Sequence, residues 1–569
     1  MRSAAFRSNW RSRNPLKVLS HYFHTLRYLK PQQILGRVWF RLVRPRPDER
    51  PAPPMLLLTG VFTSPARRQA SLLDAETFRF LNHTGSLAEF DWNDAANEAG
   101  IHLPTKLWRY NQHYFDDLNA SDAAQRKDWH QSLLQRWVED NPPGLGTGWE
   151  PYPTSLRIVN WVKWQCSGNG LPDACVQSLA VQTRWLTQRL ERHILGNHLF
   201  ANAKALLFAG CFFSGDEAAS WLLQGLAIIR KELPEQVLPD GGNFERSPMY
   251  HSIFWEDLLD LINLSQAYPE VFPSADLASW RKVAGQMQSW LLGMIHPDGE
   301  IAFFNDAAMG IAPSPKELTA YAERLGVGVH QPPAEKLQHF ASSGYIRLAS
   351  AQAVAFLDVA PVGPDYLPGH AHADTLAFEW SLFGQRVVTN GGTSEYGTGT
   401  IRQLERGTAA HSTVTVNGEN SSEVWGGFRV ARRAYPLDLA IDQSAACITV
   451  RCSHNGYRRL RGKPVHQREW QWTETSLKVT DTVSGSAEHA VARFHLHPDI
   501  EVVESKPSSW TLALPGGQQF VHAFVEHGIA KLEESHYAPE FGKRILRTCL
   551  AVELVDQHSQ IRFVWESHH

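Results

Sequence analysis

The sequence predicts two architectures in series, a helical domain followed by an antiparallel all-β domain. From about residue 127 to 330 apolar residues recur at three- and four-residue spacing, the mark of helices with one buried face. After about residue 340 the period drops to two, as in short half-buried strands. Pro, Gly and Asp cluster between the segments of both halves and close each element. With 569 residues, 43% hydrophobic and 20% charged, the chain is long enough for two or three large globular modules.

Residues 1–105 are mixed in pattern and form an N-terminal segment, with a Pro-rich linker near 45–54 (PRPDERPAPP) that cannot continue a helix. Residues 106–335 hold the periodic segments KDWHQSLLQRWVED, SLRIVNWVKWQC, VQSLAVQTRWLTQRL, HLFANAKALLFAGCFF, HSIFWEDLLDLINLSQ and DLASWRKVAGQMQSWLLGMI. The loops NPPGLGTGWEPYP, LPEQVLPDGGN and HPDGE between them predict helix hairpins stacked side by side. Residues 340–569 read as strands, among them GYIRLAS, AVAFLDVA, TLAFEWSLF, HQREWQWTE and IRFVWES, spread over more than 200 residues as in a large β-sandwich. A cleft between two such domains suits a long ligand.

Charge and cysteine content narrow the function. Lys and Arg (55) nearly balance Asp and Glu (58), so no overall basic excess draws the chain to nucleic acid. Six scattered cysteines without a C-x-x-C pair read as buried thiols. There is no membrane span, because no run of 18 apolar residues occurs. The Arg-rich start lacks the apolar stretch of a signal peptide, so a cytoplasmic location is expected, with the periplasm as the alternative. The 26 His and 20 Trp supply groups for proton transfer or metal ligation, and flat faces for stacking on sugar rings.

Three constellations carry candidate chemistry. Asn197 and His198 open a helix, where Asn is equally a preferred cap. Glu245, Arg246, Tyr250 and His251 crowd a helix start after the turn Asp240-Gly241-Gly242, as a cleft wall or as a capped helix with solvated charges. In GHAHADTLAFEWSL, His370, His372 and Asp374 are two apart, so on a strand they would project to one face, and His411 begins another strand that could complete the cluster.

Together NHLFANAKALLFAG, GGNFERSPMYHSIFWEDLLDL, GHAHADTLAFEWSL and RGTAAHSTVTVNGENSSEVW resemble the heparinase II/III-like polysaccharide lyases, from Lys106 to about residue 435. The resemblance implies an (α/α) toroid followed by a C-terminal antiparallel β-sandwich, with an acidic polysaccharide or oligosaccharide between them. It implies eliminative cleavage of a uronic-acid glycoside. Asn197 and His198 would neutralise the uronate carboxylate, and Tyr250 and His370 would exchange protons at the scissile bond. His372, Asn390 and His411 match the positions that hold one structural divalent metal in relatives. Where many members carry Asp in a V-D-x-G-T pattern, this chain has Val388-Thr389-Asn390-Gly391-Gly392-Thr393, and a neutral amide oxygen is a weaker zinc ligand. Calcium or zinc remain the candidates, with Asp374 as a compensating ligand. Arg109, Glu245, Arg246 and Arg406 are candidate substrate contacts through charge and bidentate hydrogen bonds, and Trp149 through stacking.

Two other readings stay open. A glycoside hydrolase would draw a carboxylate pair from Asp240, Glu245, Asp298 and Asp306. A non-catalytic glycan-binding protein of exopolysaccharide biosynthesis would keep the fold without the chemistry.

Overall fold

The computed structural model describes residues 15–88, 92, 105–328 and 335–566. Parts of the expected N-terminal segment, 1–14 and 93–104, lie outside these residues, as do 329–334 ahead of the expected β domain. The chain begins with two helices, α1 (Pro15–Leu26) and α2 (Pro31–Leu42), each opened by a proline in the first turn where no N–H is needed. The Pro-rich stretch that follows is more than a linker. Arg184 donates to the carbonyls of Asp48, Arg50 and Pro51, and Gln177 donates to those of Glu49 and Arg50 while accepting the Ala52 N–H. Prolines supply no N–H for a ladder, so side chains of the helical domain take up the free carbonyls and strap the segment down.

A small hairpin, β1 (Thr77–Phe80) and β2 (His83–Ser86), precedes the helical domain. There, α3 (Lys106–Tyr114), α4 (Lys127–Asp140), α5 (Pro151–Cys166), α6 (Asp173–Gln188), α7 (Gly196–Phe212), α8 (Asp216–Gln236), α9 (Pro248–Ala267), α10 (Ser274–Gly293) and α11 (Pro315–Arg324) pack around one core. Six of these are the periodic segments; α8 and the shorter α3 and α11 are additional. Helix α7 lies at the centre and is apolar on nearly every side, so almost all of its residues are buried. Its one lysine, Lys204, pairs with Asp257 (2.7 Å) and Asp260 (2.5 Å) of α9.

The β domain opens with an antiparallel meander, β3 (Leu337–Phe340), β4 (Tyr345–Ala349), β5 (Ala353–Asp358), β6 (Phe378–Leu382) and β7 (Gln385–Val388). A bridge from Val388 to Leu496 joins it to a four-stranded sheet, Ile529–Tyr537, Ile545–Glu553, Ala490–His495 and Val414–Val416. An eight-stranded antiparallel sheet packs against this layer, and Trp380, Trp470, Trp565, Phe494 and Phe563 fill the space between. The α-then-β order and the antiparallel sheets agree with the sequence reading.

The strand positions expected of the histidines are not observed, and His411 lies ahead of its strand, which begins only at Val414. His370, His372 and Asp374 are not on a strand, since β6 begins only at Phe378 and the preceding residues form a loop. Their convergence comes instead from what the loop packs on. Trp290 of α10 donates to Ser343, and His296 donates or accepts at Glu379 (2.8 Å) and Ser381 (2.6 Å) across the domain boundary. Glu379 also accepts the N–H groups of Phe303 and Asn390. These buried bonds fix the segment after α10 against β6 and β7, where the site is built.

Candidate active site

A cleft of about 1540 Å³ opens between the two domains, lined by Asn197, His198, Glu245 and Tyr250 from the helical domain and by His370 and Tyr396 from the β domain. Tyr250 sits in the first turn of α9, whose cap is Ser247: its hydroxyl oxygen accepts the Tyr250 N–H (3.2 Å). The Tyr250 ring stacks on the His370 imidazole with centroids 3.8 Å apart and planes 27° from parallel. Its hydroxyl is 2.8 Å from that of Tyr396. Burial, with Tyr396 and Asp306 close by, pushes the Tyr250 phenol well above its ordinary range.

Asp306 organises this wall. It is fully buried, and its carboxylate accepts from His370 Nδ1 (3.0 Å), His372 Nε2 (2.8 Å), the Thr393 hydroxyl (3.3 Å) and both terminal nitrogens of Arg402 on α12 (Thr400–Glu405). Its backbone N–H donates to the His370 carbonyl (2.9 Å). Burial alone would raise this carboxyl, but Arg402 and the two imidazole hydrogen bonds outweigh it and hold the group well below the usual carboxylate range. An ionised Asp306 fixes the His370 proton on Nδ1 and leaves Nε2 facing the cleft, 3.6 Å from Glu245. Glu245 is buried, neither carboxylate oxygen has a hydrogen bond among the described residues, and burial raises its carboxyl.

Opposite stands the start of α7. The helix begins at Gly196 with Leu195 at the cap position, so Asn197 lies within the first turn and is not a cap. Leu195 (φ 70°) and Gly196 (φ 57°) are left-handed, and a Cβ on Gly196 would come within 2.4 Å of Leu367 on the β-domain loop. That close approach brings Asn197 and His198 to the cleft. His198 Nδ1 is 3.0 Å from Glu191, whose other oxygen accepts from Asn202 (3.1 Å) one turn further along α7. Burial lowers the His198 imidazole, but Glu191 overrides it and the net shift is upward.

His372, His411 and Asn390 do come together, as a line of contacts. His372 Nδ1 is 3.2 Å from His411 Nε2, and His411 Nδ1 is 3.1 Å from Asn390 Oδ1. Asn390 therefore sits on the far nitrogen of His411, and Asp306 on the far nitrogen of His372. Among the described residues no three His, Cys, Asp or Glu side chains form a group that could hold a metal ion. Asn390 Nδ2 is buried without a partner. With the amide turned the other way, hydrogens run in one direction, from Asn390 to His411, from His411 to His372 and from His372 to Asp306. These residues do not fit the divalent ion that the resemblance implies; they fit a neutral hydrogen-bonded relay ending on Asp306. Asp374 is no substitute ligand, since its Oδ2 accepts the Asn305 N–H (3.2 Å).

The expected substrate contacts divide. Glu245 is in the cleft wall; the others are structural. Trp149 is buried, donates to the Asn141 carbonyl and packs on Trp137 and Trp185, so it has no face for a sugar. Arg109 is buried on the side of α3 away from the cleft, which Lys106, Tyr110 and Asn111 line instead. Arg246 donates to the Ser343 carbonyl (2.9 Å) across the domain boundary. Arg406 is fully buried and binds the carbonyls of Ala371, Gly426, Gly427 and Arg429, clamping the His370–His372 loop. Sequence reasoning missed Arg402 as a partner of Asp306, and it missed Tyr396 and Glu191 altogether.

Two family signatures cover most of the chain: "Heparinase II/III N-terminus" matches residues 112–323, and "Heparinase II/III-like, C-terminal" matches 332–565. The chain belongs to the heparinase II/III-like family. It is 27% identical over 335 residues to a heparin-sulfate lyase of Bacteroides stercoris, covering 55% of this chain and 47% of that protein. It is 25% identical over 345 residues to a heparin-sulfate lyase of Pedobacter heparinus, covering 53% of this chain and 49% of that protein. The chain thus matches about half the length of these curated relatives. In fold it is similar to a crystal structure of heparinase III (TM-score 0.67, 17% identity, covering 84% of this chain and 80% of that one). It is also similar to the heparan sulfate lyase HepC of Pedobacter heparinus (TM-score 0.56, 18% identity, covering 87% and 82%). The helical domain followed by the sandwich is the toroid-plus-sandwich fold of this family.

Two outcomes follow from the relay. Asp306→Asn leaves Arg402 buried without its counter-charge and should cost about 3–5 kcal/mol in denaturant unfolding. Treatment with a chelator should leave the melting temperature and any catalytic rate unchanged, with metal analysis of the purified protein below one equivalent.

Proposed function

We propose that the protein is a polysaccharide lyase that cleaves a uronic-acid glycoside by β-elimination. The observation that carries this reading is the Tyr250–His370 stacked pair, anchored by Asp306 and facing Asn197 and His198 across the cleft. The C5 proton of a uronate is weakly acidic, and its removal requires the adjacent carboxylate to be neutralised. His198, whose imidazole Glu191 shifts toward the protonated form, and the Asn197 amide are the groups placed to neutralise that carboxylate. Glu245 lies beside them, its carboxyl raised by burial, which weakens its repulsion of that carboxylate.

The roles at the scissile bond follow from protonation. His370 carries its hydrogen on Nδ1 toward Asp306, so Nε2 accepts the C5 proton, and the resulting imidazolium is stabilised by the ionised Asp306. The electrons of the C5–H bond form the C4–C5 double bond as the C4–O4 bond breaks. Tyr250, whose raised phenol holds its proton at neutral pH, delivers it to O4. The two rings are in contact, so both transfers occur on one side of the sugar, which suits a syn elimination such as that of a glucuronate. The relatives named heparin-sulfate lyases support glycosaminoglycans as the first polymers to try.

The hydrolase reading loses its carboxylates. Asp240 accepts from the Ser343 backbone and hydroxyl, Asp298 pairs with Arg386 (2.6 Å), and Asp306 is locked against Arg402. Only Glu245 of the four faces the cleft, and one carboxylate makes no hydrolytic pair.

Incubation with heparan sulfate, heparin, chondroitin sulfate, alginate and polyglucuronate, read by the ultraviolet absorbance of a conjugated double bond, tests the activity. Tyr250→Phe should lower kcat by about 10²–10⁴-fold while the protein stays folded; unchanged turnover overturns the acid role. Since the His198 imidazole is raised, substrate binding should weaken as pH climbs through its elevated value. Glu191→Gln removes the cause, so the rise in KM should move to lower pH while the acid limb of kcat stays in place.

A further inference from the structure

The first two helices are amphipathic in the inverted sense. Toward the body of the protein α2 turns Gln33, Gly36 and Phe40: Gln33 donates to the Tyr366 carbonyl (3.1 Å), Gly36 lies against His193, and the Phe40 ring and carbonyl rest on Arg189. Outward it turns Ile34, Leu35, Val38, Trp39 and Leu42, which are 48–77% exposed. Helix α1 repeats the pattern, with Thr25 bonded to the Val430 carbonyl and Trp425, and Leu19 and Phe23 outward at 64–65% exposure, while Leu26 lines the cleft. Spacings of three and four residues place these side chains in one stripe on each helix.

Charge decides what such a face meets. The first 47 residues contain eleven Lys and Arg and no Asp or Glu, whereas the rest of the chain carries 44 against 58. Arg27, Arg37, Arg41, Arg44 and Arg46 are exposed on or beside the two helices. A second copy of this chain meeting it face to face would offer the same positive segment. Apolar stripes of Leu, Phe and Trp flanked by arginines match the boundary between anionic headgroups and acyl chains. No helix among the described residues is long and apolar enough to cross a membrane, so the contact is peripheral.

We propose that α1 and α2 form an interfacial surface that docks on an anionic lipid bilayer. Tyr22, Gln33 and Arg37, on the same helices, line the cleft, so docking sets the catalytic cleft beside the membrane surface. The full-length protein is sedimented with phosphatidylcholine vesicles containing about 30% phosphatidylglycerol and with phosphatidylcholine alone. Binding to the anionic vesicles should exceed that to neutral ones by about tenfold and fall in about 0.5 M NaCl. Leu35→Glu combined with Trp39→Glu should reduce it about tenfold again, with the circular dichroism and the turnover of soluble substrate, if any, unchanged. Equal recovery with both vesicle types, or no effect of the double variant, overturns the proposal. A wild-type dimer that the double variant converts to monomer in sedimentation velocity, without vesicle binding, overturns it in favour of a second copy.

Discussion

A buried carboxylate cannot remain ionised unless its surroundings replace the water it has lost, and Asp306 meets that demand with donors from three separate stretches of chain. Its own segment follows α10; His370 and His372 come from the loop before β6, Thr393 from the loop after β7, and Arg402 from α12. Removing any of them leaves charge or polarity stranded in a low-dielectric interior. The site therefore exists only once both domains have folded and met. The same contact that closes the domain boundary sets the tautomer of His370, so stability and chemistry rest on one group.

The relay beyond His372 is consistent with that charge balance. Asp306 and Arg402 neutralise one another, and burial lowers the imidazoles of both His372 and His411 so that they stay neutral. Asn390 adds an amide where a carboxylate would add a second negative charge. A neutral line of hydrogen bonds suits a neutral end residue, and both ring nitrogens of His372 and of His411 are engaged in it.

The order of the two domains was legible because hydrophobic period is a local property. Asn197, His198, Tyr250 and His370 were singled out by the resemblance of their segments to the heparinase II/III-like lyases, because polar density alone fits a capped helix as well. Asp306 was visible only as one turn carboxylate among several, because its partners are 66 and 96 residues away in the chain. Tyr396 meets Tyr250 across 146 residues. Trp149 and Arg109 misled for the opposite reason: side chains that bind sugars also pack helices, and composition does not separate the two uses. The two-residue spacing of His370 and His372 suggested a strand, yet a loop held by Arg406 and Asp306 gives the same convergence without the pleat.

The strapped Pro-rich stretch gives the molecule a mechanical property. A chain of ten or so residues without secondary structure would ordinarily act as a leash, letting the helices at one end wander relative to whatever lies at the other. Here Arg184 and Gln177 hold successive carbonyls, and Met55 bridges to Phe213 at the end of α7. The leash becomes a bracket. Whatever the leading helices rest on, the orientation of the helical domain is then set with them, and the mouth of the cleft keeps a fixed height and angle above that support.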